Sequence, residues 1–345
     1  MTDDDIRIVQ YGIGAIGRRV IRLASGKSGM RIVGCVDVDE QLIGKDAGAI
    51  ADLDAPIGVT VVGTLRDVHD SLAVGTDGPA ADVCFHCTGS HLDDVHEQLW
   101  EIIEAGVNIV STCEELSFPR LRQPDRAAEI DALARDNDVT VLGTGINPGF
   151  IMDMLPVALT AMCAEVRRVR VTRTVDVSTR RRQLQAKAGT GMTVAEFRQR
   201  AATGRMGHIG LRESLLCIAE ALRWPAEDVR HSLEPVIAAA PLETEFFDVP
   251  AGRVAGLKER TWIERNGEEI LTLELEMSVN AEDPRDTVEL DGTPHINARV
   301  DGVHGDISTH AMVVNSARHV VQAPPGLVTM LDIPPVSLAA AAGAP

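Results

Sequence analysis

Aromatic side chains are scarce in this 345-residue chain: three Trp, one Tyr and six Phe. That argues against the stacked aromatic platforms that hold single-stranded nucleic acid. Positive charge is also short. Lys and Arg number 33 against 51 Asp and Glu, a formal net charge of −18. Such a surface repels phosphate backbones and anionic lipid, so neither nucleic acid nor a membrane surface is an expected partner. No apolar run approaches the length that spans a bilayer. The opening residues Met1-Thr-Asp-Asp-Asp5 are acidic, whereas a signal peptide starts basic and then turns apolar. Six cysteines are too few for a disulfide scaffold and read as reduced thiols of a cytoplasmic protein. Cys84 and Cys87 form a C-x-x-C within Asp82-Val-Cys-Phe-His-Cys87. On a strand, residues three apart face opposite sides, so they read as small buried residues rather than a redox or metal pair. No metal-ligand spacing and no G-x-S-x-G hydrolase turn is present.

The length is that of about two domains at roughly 150 residues each. The first 150 residues alternate strand and helix. Ile6–Tyr11 is a short apolar strand, and Gly12-Ile-Gly-Ala-Ile-Gly17 follows at once. Ile16, Val20, Leu23 and Ala24 then share one helical face, up to Gly26. A second strand, Arg31–Val36, ends in Asp37, 20 residues after the last glycine. A G-x-G-x-x-G alone is weak evidence. Between a strand and a helix, with an acid at that distance, it is a dinucleotide-binding fingerprint. Gly12 permits the turn, Gly14 lets the backbone approach a pyrophosphate at the helix start with Ala15 and Ile16, and Gly17 lets helix and strand pack closely. Asp37 suits a ribose 2′-hydroxyl and repels a 2′-phosphate, and no Arg follows it, so NAD is the expected cofactor. Lys45, the one nearby cation, leaves NADP open.

Further strands are expected at Val59–Val62, Asp82–His86, Val107–Ser111 and Val139–Leu142, the last of the sheet, with helices at His91–Ala105 and Pro124–Arg135. This order means a parallel sheet covered by helices, with ligands beyond the carboxyl ends of its strands. Thr88 and Gly89 follow one such end. Asn147, in Thr144-Gly-Ile-Asn-Pro-Gly-Phe150, follows another, and its backbone neighbours could meet the cofactor carboxamide. Glu114 and Glu115 close the fifth strand. A carboxylate there can take a proton from an amine or hold ammonia beside a carbonyl, and partial burial would raise its pKa toward neutrality. The alternative is that they begin the next turn.

From Ile151 the alternation stops. Val166–Val175 reads as a strand with one wet face, and Asn266-Gly267 joins Thr261–Arg265 to Glu269–Val279 in a hairpin. His295–Val300 is another strand, and Met192–Ala202 and Leu211–Leu222 are helical. Arg180-Arg-Arg182 could hold a carboxylate or phosphate, or be a solvated face. His208, at a glycine-rich helix start, is either structural or a substrate contact, and Phe150 is a second candidate substrate contact. A helix over His310–Val321 returns to the first domain, and the tail Leu338–Pro345 is expected to fray. The expected domains are 1–150 for the dinucleotide, 151–305 for substrate and dimerisation, and 306–335 for the returning segment.

Together these motifs resemble the 2,4-diaminopentanoate dehydrogenases and native amine dehydrogenases, with dihydrodipicolinate reductase as a more distant relative through its N-terminal domain. Gly12–Gly17, Val36–Asp39, Ile43–Gly48, Ser111–Pro119, Thr144–Phe150 and Gly207–Ser214 carry the likeness, with a similar stretch near Val314-Asn315 and Pro324–Leu327. The resemblance implies an α/β chain: a Rossmann-type doubly wound parallel sheet, then an α+β domain with a mostly antiparallel sheet. It implies reversible oxidative deamination with NAD or NADP, and reductive amination of a ketone or aldehyde with ammonia. The family's amine-binding glutamate falls on Glu114 or Glu115, with Glu114 preferred as the nearer to the strand. A homodimer is expected by the same analogy. The competing readings are an imine reductase of the dihydrodipicolinate reductase type and a non-catalytic NAD(H) sensor.

Overall fold

The computed structural model describes residues 5–72, 79–204 and 206–341. The acidic opening Met1–Asp4 and the last four residues of the tail lie outside them. The chain divides into two compact units, Met1–Phe150 with His304–Pro345, and Ile151–Val303.

The first unit starts β1 (Ile6–Tyr11), α1 (Ala15–Ser25), β2 (Met30–Val36), α2 (Ala47–Ile50), β3 (Val61–Val62) and α3 (Leu65–Leu72). It continues β4 (Val83–His86), α4 (Leu92–Glu104), β5 (Asn108–Ser111), α5 (Pro124–Asp136) and β6 (Thr140–Gly143). The second unit holds α6 (Met154–Thr160), β7 (Glu165–Asp176), α7 (Arg182–Lys187), α8 (Val194–Ala201) and α9 (Leu211–Ala221). Then come β8 (Val229–Ile237), a small pair β9 (Leu242–Glu243) and β10 (Asp248–Val249), β11 (Val254–Arg265), β12 (Glu268–Ser278), β13 (Arg285–Thr293) and β14 (Ile296–Val300). The chain returns to the first unit as α10 (Gly305–Gln322) and β15 (Gly326–Val328).

The first sheet runs β15-β6-β5-β4-β1-β2-β3, and every pairing is parallel. The reversal of strand order beside β1 opens the crevice where ligands of such sheets bind. The strands read as continuous apolar runs because both faces are covered. On one side α4 presents Leu92, Val95, Leu99, Ile102 and Ile103 to Val9, Cys84, Ile109 and Val141. Each such side chain contributes about 1.5–3 kcal/mol on burial. On α10, Val313, Val314, Ala317 and Val320 are buried, and the helix packs on α1, β4, β5 and β6.

Several expectations need correcting. The sheet does not end at β6: β15, nearly 200 residues on, pairs beyond it through Leu327 and Val141. Only three residues long and preceded by two prolines, it has no strand-like pattern of its own. The helix expected from His310 begins at Gly305, capped by His304. The tail does not fray from Leu338, because Ser28 N–H donates to Ala340 O at 3.0 Å, and Lys27 Nζ to Ala339 O at 2.8 Å.

The six-stranded sheet of the second unit is ordered β14-β13-β7-β12-β11-β8. Only the β12–β7 pairing is parallel, so the sheet is mostly antiparallel. The Asn266-Gly267 hairpin is present, but β11 starts at Val254, well before the expected Thr261. β8 and β13 are strands beyond those expected from the sequence. β8 contains Pro235, which an edge strand tolerates because it needs only one row of hydrogen bonds. β7 has the expected wet face at Arg168 and Arg170, but its buried face carries a charge. Arg173 falls in register with Val169 and Val171 on the buried face, where it donates to Asp286 Oδ1 at 2.7 Å. Burial draws both groups toward neutrality, lowering the pKa of Arg173 and raising that of Asp286.

Candidate functional site

The carboxyl ends of β1, β2, β4, β5 and β6 bring most of the expected site residues to one edge of the first unit. Gly12 follows β1 with φ +86°, and a Cβ there would lie 2.7 Å from Cys87 O and 2.8 Å from Thr88 Cγ2. Gly17 sits in the first turn of α1, where a Cβ would come within 2.0 Å of Gly12 O. Only glycine lets this helix seat on its own turn. Gly14 is different. It is the N-cap of α1, exposed, and no described heavy atom lies within 4 Å of the position a Cβ would take. Among the described residues no side chain caps α1. The positive end of the helix therefore faces open space beside Gly14, Ala15 and Ile16, which fits the pyrophosphate of a dinucleotide.

Asp37, half-buried at the end of β2, ties two segments together. Its Oδ2 accepts from Ile13 N at 2.5 Å and its Oδ1 from Asp39 N at 2.9 Å. The carboxylate lies directly against the glycine turn. Lys45 is exposed on the following loop. That loop is closed by Asp46, which was not singled out from sequence. Asp46 accepts from Ala49 N, Ile57 N and Gly58 N, and although burial raises its pKa these bonds hold it below its ordinary value. Gln10 was missed as well. It is fully buried in β1, and its Nε2 donates to Gly12 O at 2.8 Å, bracing the turn from below.

Glu114 and Glu115 do not close β5 but form the start of a 3-10 turn, Glu114–Ser117, just beyond it. Their environments differ sharply. Glu115 is 6 % exposed and clasped by four partners. Its Oε2 accepts from Leu92 N at 2.8 Å and Gln123 Nε2 at 2.9 Å, and its Oε1 lies 3.1 Å from His91 Nδ1 and 3.5 Å from Arg122. Burial alone would raise its pKa, as expected for this pair. The bonds from Leu92, His91 and Gln123, with the Arg122 charge, outweigh it and hold Glu115 below the usual glutamate value. Glu115 is an anchor for the start of α4. Its backbone N–H donates to Ser90 O at 3.2 Å, and Cys113 Sγ donates to the same oxygen at 3.3 Å. Glu114, half-buried, is thus held between two pinned neighbours.

The turn after β6 is fastened by Thr144 N to Ser111 O at 2.8 Å, with Asn147 joined to Pro148 by a cis peptide and Phe150 37 % exposed. Thr88 is exposed, and Gly89 lies against Val95 of α4. His208 belongs to the second unit, on the turn before α9. Its backbone N–H donates to Glu259 Oε2 at 2.6 Å, and the other Glu259 oxygen takes His231 Nε2 at 2.9 Å. The basic run splits: Arg180 is buried, Arg181 and Arg182 are exposed, and Arg182 stacks over Phe247 at 5.7 Å. Burial pushes the Cys87 thiol up to about 11 and that of Cys84 well above its ordinary value, so both stay protonated. Among the described residues no cluster of three His, Cys, Asp or Glu is placed to hold a metal, and no helix is long and apolar enough to cross a membrane.

A model of the 2,4-diaminopentanoate dehydrogenase C-terminal domain matches residues 150–343. The 2,4-diaminopentanoate dehydrogenase of Acetoanaerobium sticklandii is 32% identical over 341 residues, covering 96% of this chain and 94% of that protein. The chain belongs to the 2,4-diaminopentanoate dehydrogenase family. It is a dehydrogenase, and the main functional reading of the sequence stands. An amine dehydrogenase structure from Mycobacterium smegmatis superposes with a TM-score of 0.85, at 27% identity over 97% of this chain and 98% of that one. The WlbA dehydrogenase from Bordetella pertussis, solved with NADH and UDP-GlcNAcA, shares the fold alone. Its TM-score is 0.51 and its identity 13%, covering 92% of this chain and 84% of that one. The imine reductase alternative is not favoured, since the diaminopentanoate match runs the length of the chain.

Proposed function

We propose that this member of the family catalyses reversible oxidative deamination of an amine or diamino acid with NAD, and reductive amination of a ketone or aldehyde with ammonia in reverse. The observation that carries it is the turn after β5, where Glu114 stands between a buried Cys113 and a four-fold clasped Glu115. When bound, the nicotinamide cofactor supplies the acceptor for a hydride from the amine carbon. The chain's own residues do the rest. Gly14, Ala15 and Ile16 receive the pyrophosphate on the α1 N-terminus, and Asp37 accepts from the ribose. Thr88, Gly89 and Asn147 would border the nicotinamide half, and Phe150 meets the substrate. Glu114 takes a proton from the substrate ammonium, which frees the nitrogen lone pair to assist departure of hydride from the adjacent carbon. In reverse it holds ammonia and returns the proton.

Asp37 with no following Arg supports NAD over NADP. The enzyme is read as a cytoplasmic homodimer, and light scattering at micromolar concentration tests this: a monomer mass would remove the dimer. The chemistry is tested by following NADH absorbance with ammonia and a panel of short ketones and aldehydes, and by offering 2,4-diaminopentanoate with NAD. Consumption of NADH only when ammonia is present is the expected result. Tight NADH binding with no turnover on any pair would replace this reading with that of a sensor.

A further inference from the structure

One buried polar residue between the two turns is left without a role by the reading above. His86 ends β4 opposite Ser111 of β5, and its side chain is inaccessible to solvent. An apolar side chain would fill this central strand position without the cost of burying an imidazole. The imidazole has partners on both sides. Its Nδ1 lies 2.8 Å from Ser111 Oγ, and its Nε2 lies 2.8 Å from Gln98 Oε1 and 2.9 Å from Thr88 Oγ1. Gln98 Oε1 accepts only, so Nε2 carries the proton. In the neutral ring Nδ1 is then the acceptor, and the Ser111 hydroxyl is its donor. The Thr88 hydroxyl donates to the same Gln98 oxygen at 2.6 Å. Ser111 Oγ, its own proton committed to His86, accepts the Cys113 N–H at 3.1 Å. Cys113 immediately precedes Glu114.

We infer that His86 is a positioning residue: its single neutral tautomer couples the exposed Thr88 turn to the Cys113–Glu114 turn, so that one group sets both. The inference rests on the amine dehydrogenase reading, in which the first turn borders the cofactor and the second carries the base. Burial lowers the imidazole pKa to about 4, so the ring stays neutral, and this hydrogen-bond direction holds, at every pH where the enzyme would work. The backbone adds a parallel link, since Thr112 N–H donates to His86 O at 2.9 Å. The side-chain chain is what substitutions can cut.

Two variants separate its arms. His86→Gln places an amide near the Nε2 position, where Gln98 and Thr88 are met, and leaves the Ser111 hydroxyl without its acceptor. His86→Asn does the reverse. His86→Gln is expected to lower kcat for deamination by roughly tenfold to a hundredfold, the effect of misplacing a reacting group by about 1 Å, with the KM for NAD near that of the wild type. His86→Asn is expected to raise the KM for NAD and the dissociation constant for NADH, with a smaller loss in kcat. Ser111→Ala is milder, carries the test if a His86 variant does not fold, and should reproduce the kcat loss. Combined with His86→Gln it should add little, because both cut one chain. A purely structural histidine would lower the melting temperature of both variants and leave kcat and KM unsplit, which overturns the inference. So would full kcat in His86→Gln and Ser111→Ala while Glu114→Gln is slow. An active Glu114→Gln would instead sink the base assignment. The coupling is then judged by fluorescence titration alone, and unchanged NADH affinity in His86→Asn overturns it.

Discussion

Gly12–Gly17 leaves β1 and Thr112–Glu115 leaves β5, two places across the same sheet, and the two turns are built in opposite ways. The glycine turn works by lacking side chains. Gly17 has no room for a Cβ and Gly14 has open space around it, so the first absence of a side chain serves packing and the second leaves the start of α1 open. The acidic turn works by fixing side chains. Glu115 spends its carboxylate on Leu92, His91, Gln123 and Arg122, and that holds its neighbour Glu114 in place. Adjacent residues of one type thus divide into a clasped anchor and a half-buried neighbour, and two glycines of one motif divide into a packed position and an open one.

The sharpest way to break this contrast is Glu114→Gln. Turnover should fall by about 10²–10⁴-fold, chiefly in kcat, while NADH binding survives. In deamination the wild-type rate should rise with pH through the pKa of the base, and the variant should lose that limb. Near-normal activity in stopped-flow and steady-state assays would move the role off Glu114.

Next are the two glycines. Gly17→Ala should destabilise the protein by about 1–3 kcal/mol through overpacking against Gly12 O, seen as a lower melting temperature. Gly14→Val should keep its melting temperature and lose NADH affinity by roughly a hundredfold, about 2.7 kcal/mol. Equal affinity in a fluorescence titration would remove the glycine turn from the cofactor site.

Glu115→Gln should lower stability by about 1.5–3 kcal/mol, the worth of hydrogen bonds to a charged group, and leave kcat within severalfold. Its pKa is lowered in the folded state, so its ionised form stabilises the fold above the ordinary glutamate value of 4.5, and that contribution is lost as pH falls through the lower folded value. The wild-type melting temperature should therefore drop more steeply than that of the variant below about pH 4.5. Parallel curves in calorimetry would deny Glu115 its anchoring charge. The smallest effect concerns the cofactor: kcat/KM should favour NADH over NADPH by about tenfold, near 1.4 kcal/mol. A preference for NADPH would turn attention to Lys45.

Much of the first unit was legible because its rules are local. A strand, a glycine turn, an amphipathic helix and an acid after the next strand follow one another within 37 residues, and each is read from its own neighbours. The second unit was less legible. β8 and β13 became strands only by pairing with β11 and with β7, and the buried place of Arg173 depends on Asp286, 113 residues on, opposite it. The pair Glu114-Glu115 was visible, but the difference in their surroundings was not. A clasp made by Leu92, His91, Arg122 and Gln123 has no spacing rule that announces it. His86 could have been noticed as the one ring nitrogen pair at the end of an otherwise apolar central strand.

The linear order of residues by itself determined the alternating strand–helix plan, the glycine turn, Asp37 at the next strand end and the two acids after β5. These follow from periodicity, backbone sterics and short-range charge, all of which act within a few residues. Only the tertiary structure decided which of the two acids is clasped, that β15 completes the sheet from the far end of the chain, and that His86 bridges two turns. Those outcomes depend on burial and on hydrogen-bond partners brought from distant segments, and a buried polar group takes its role from the partners that satisfy it.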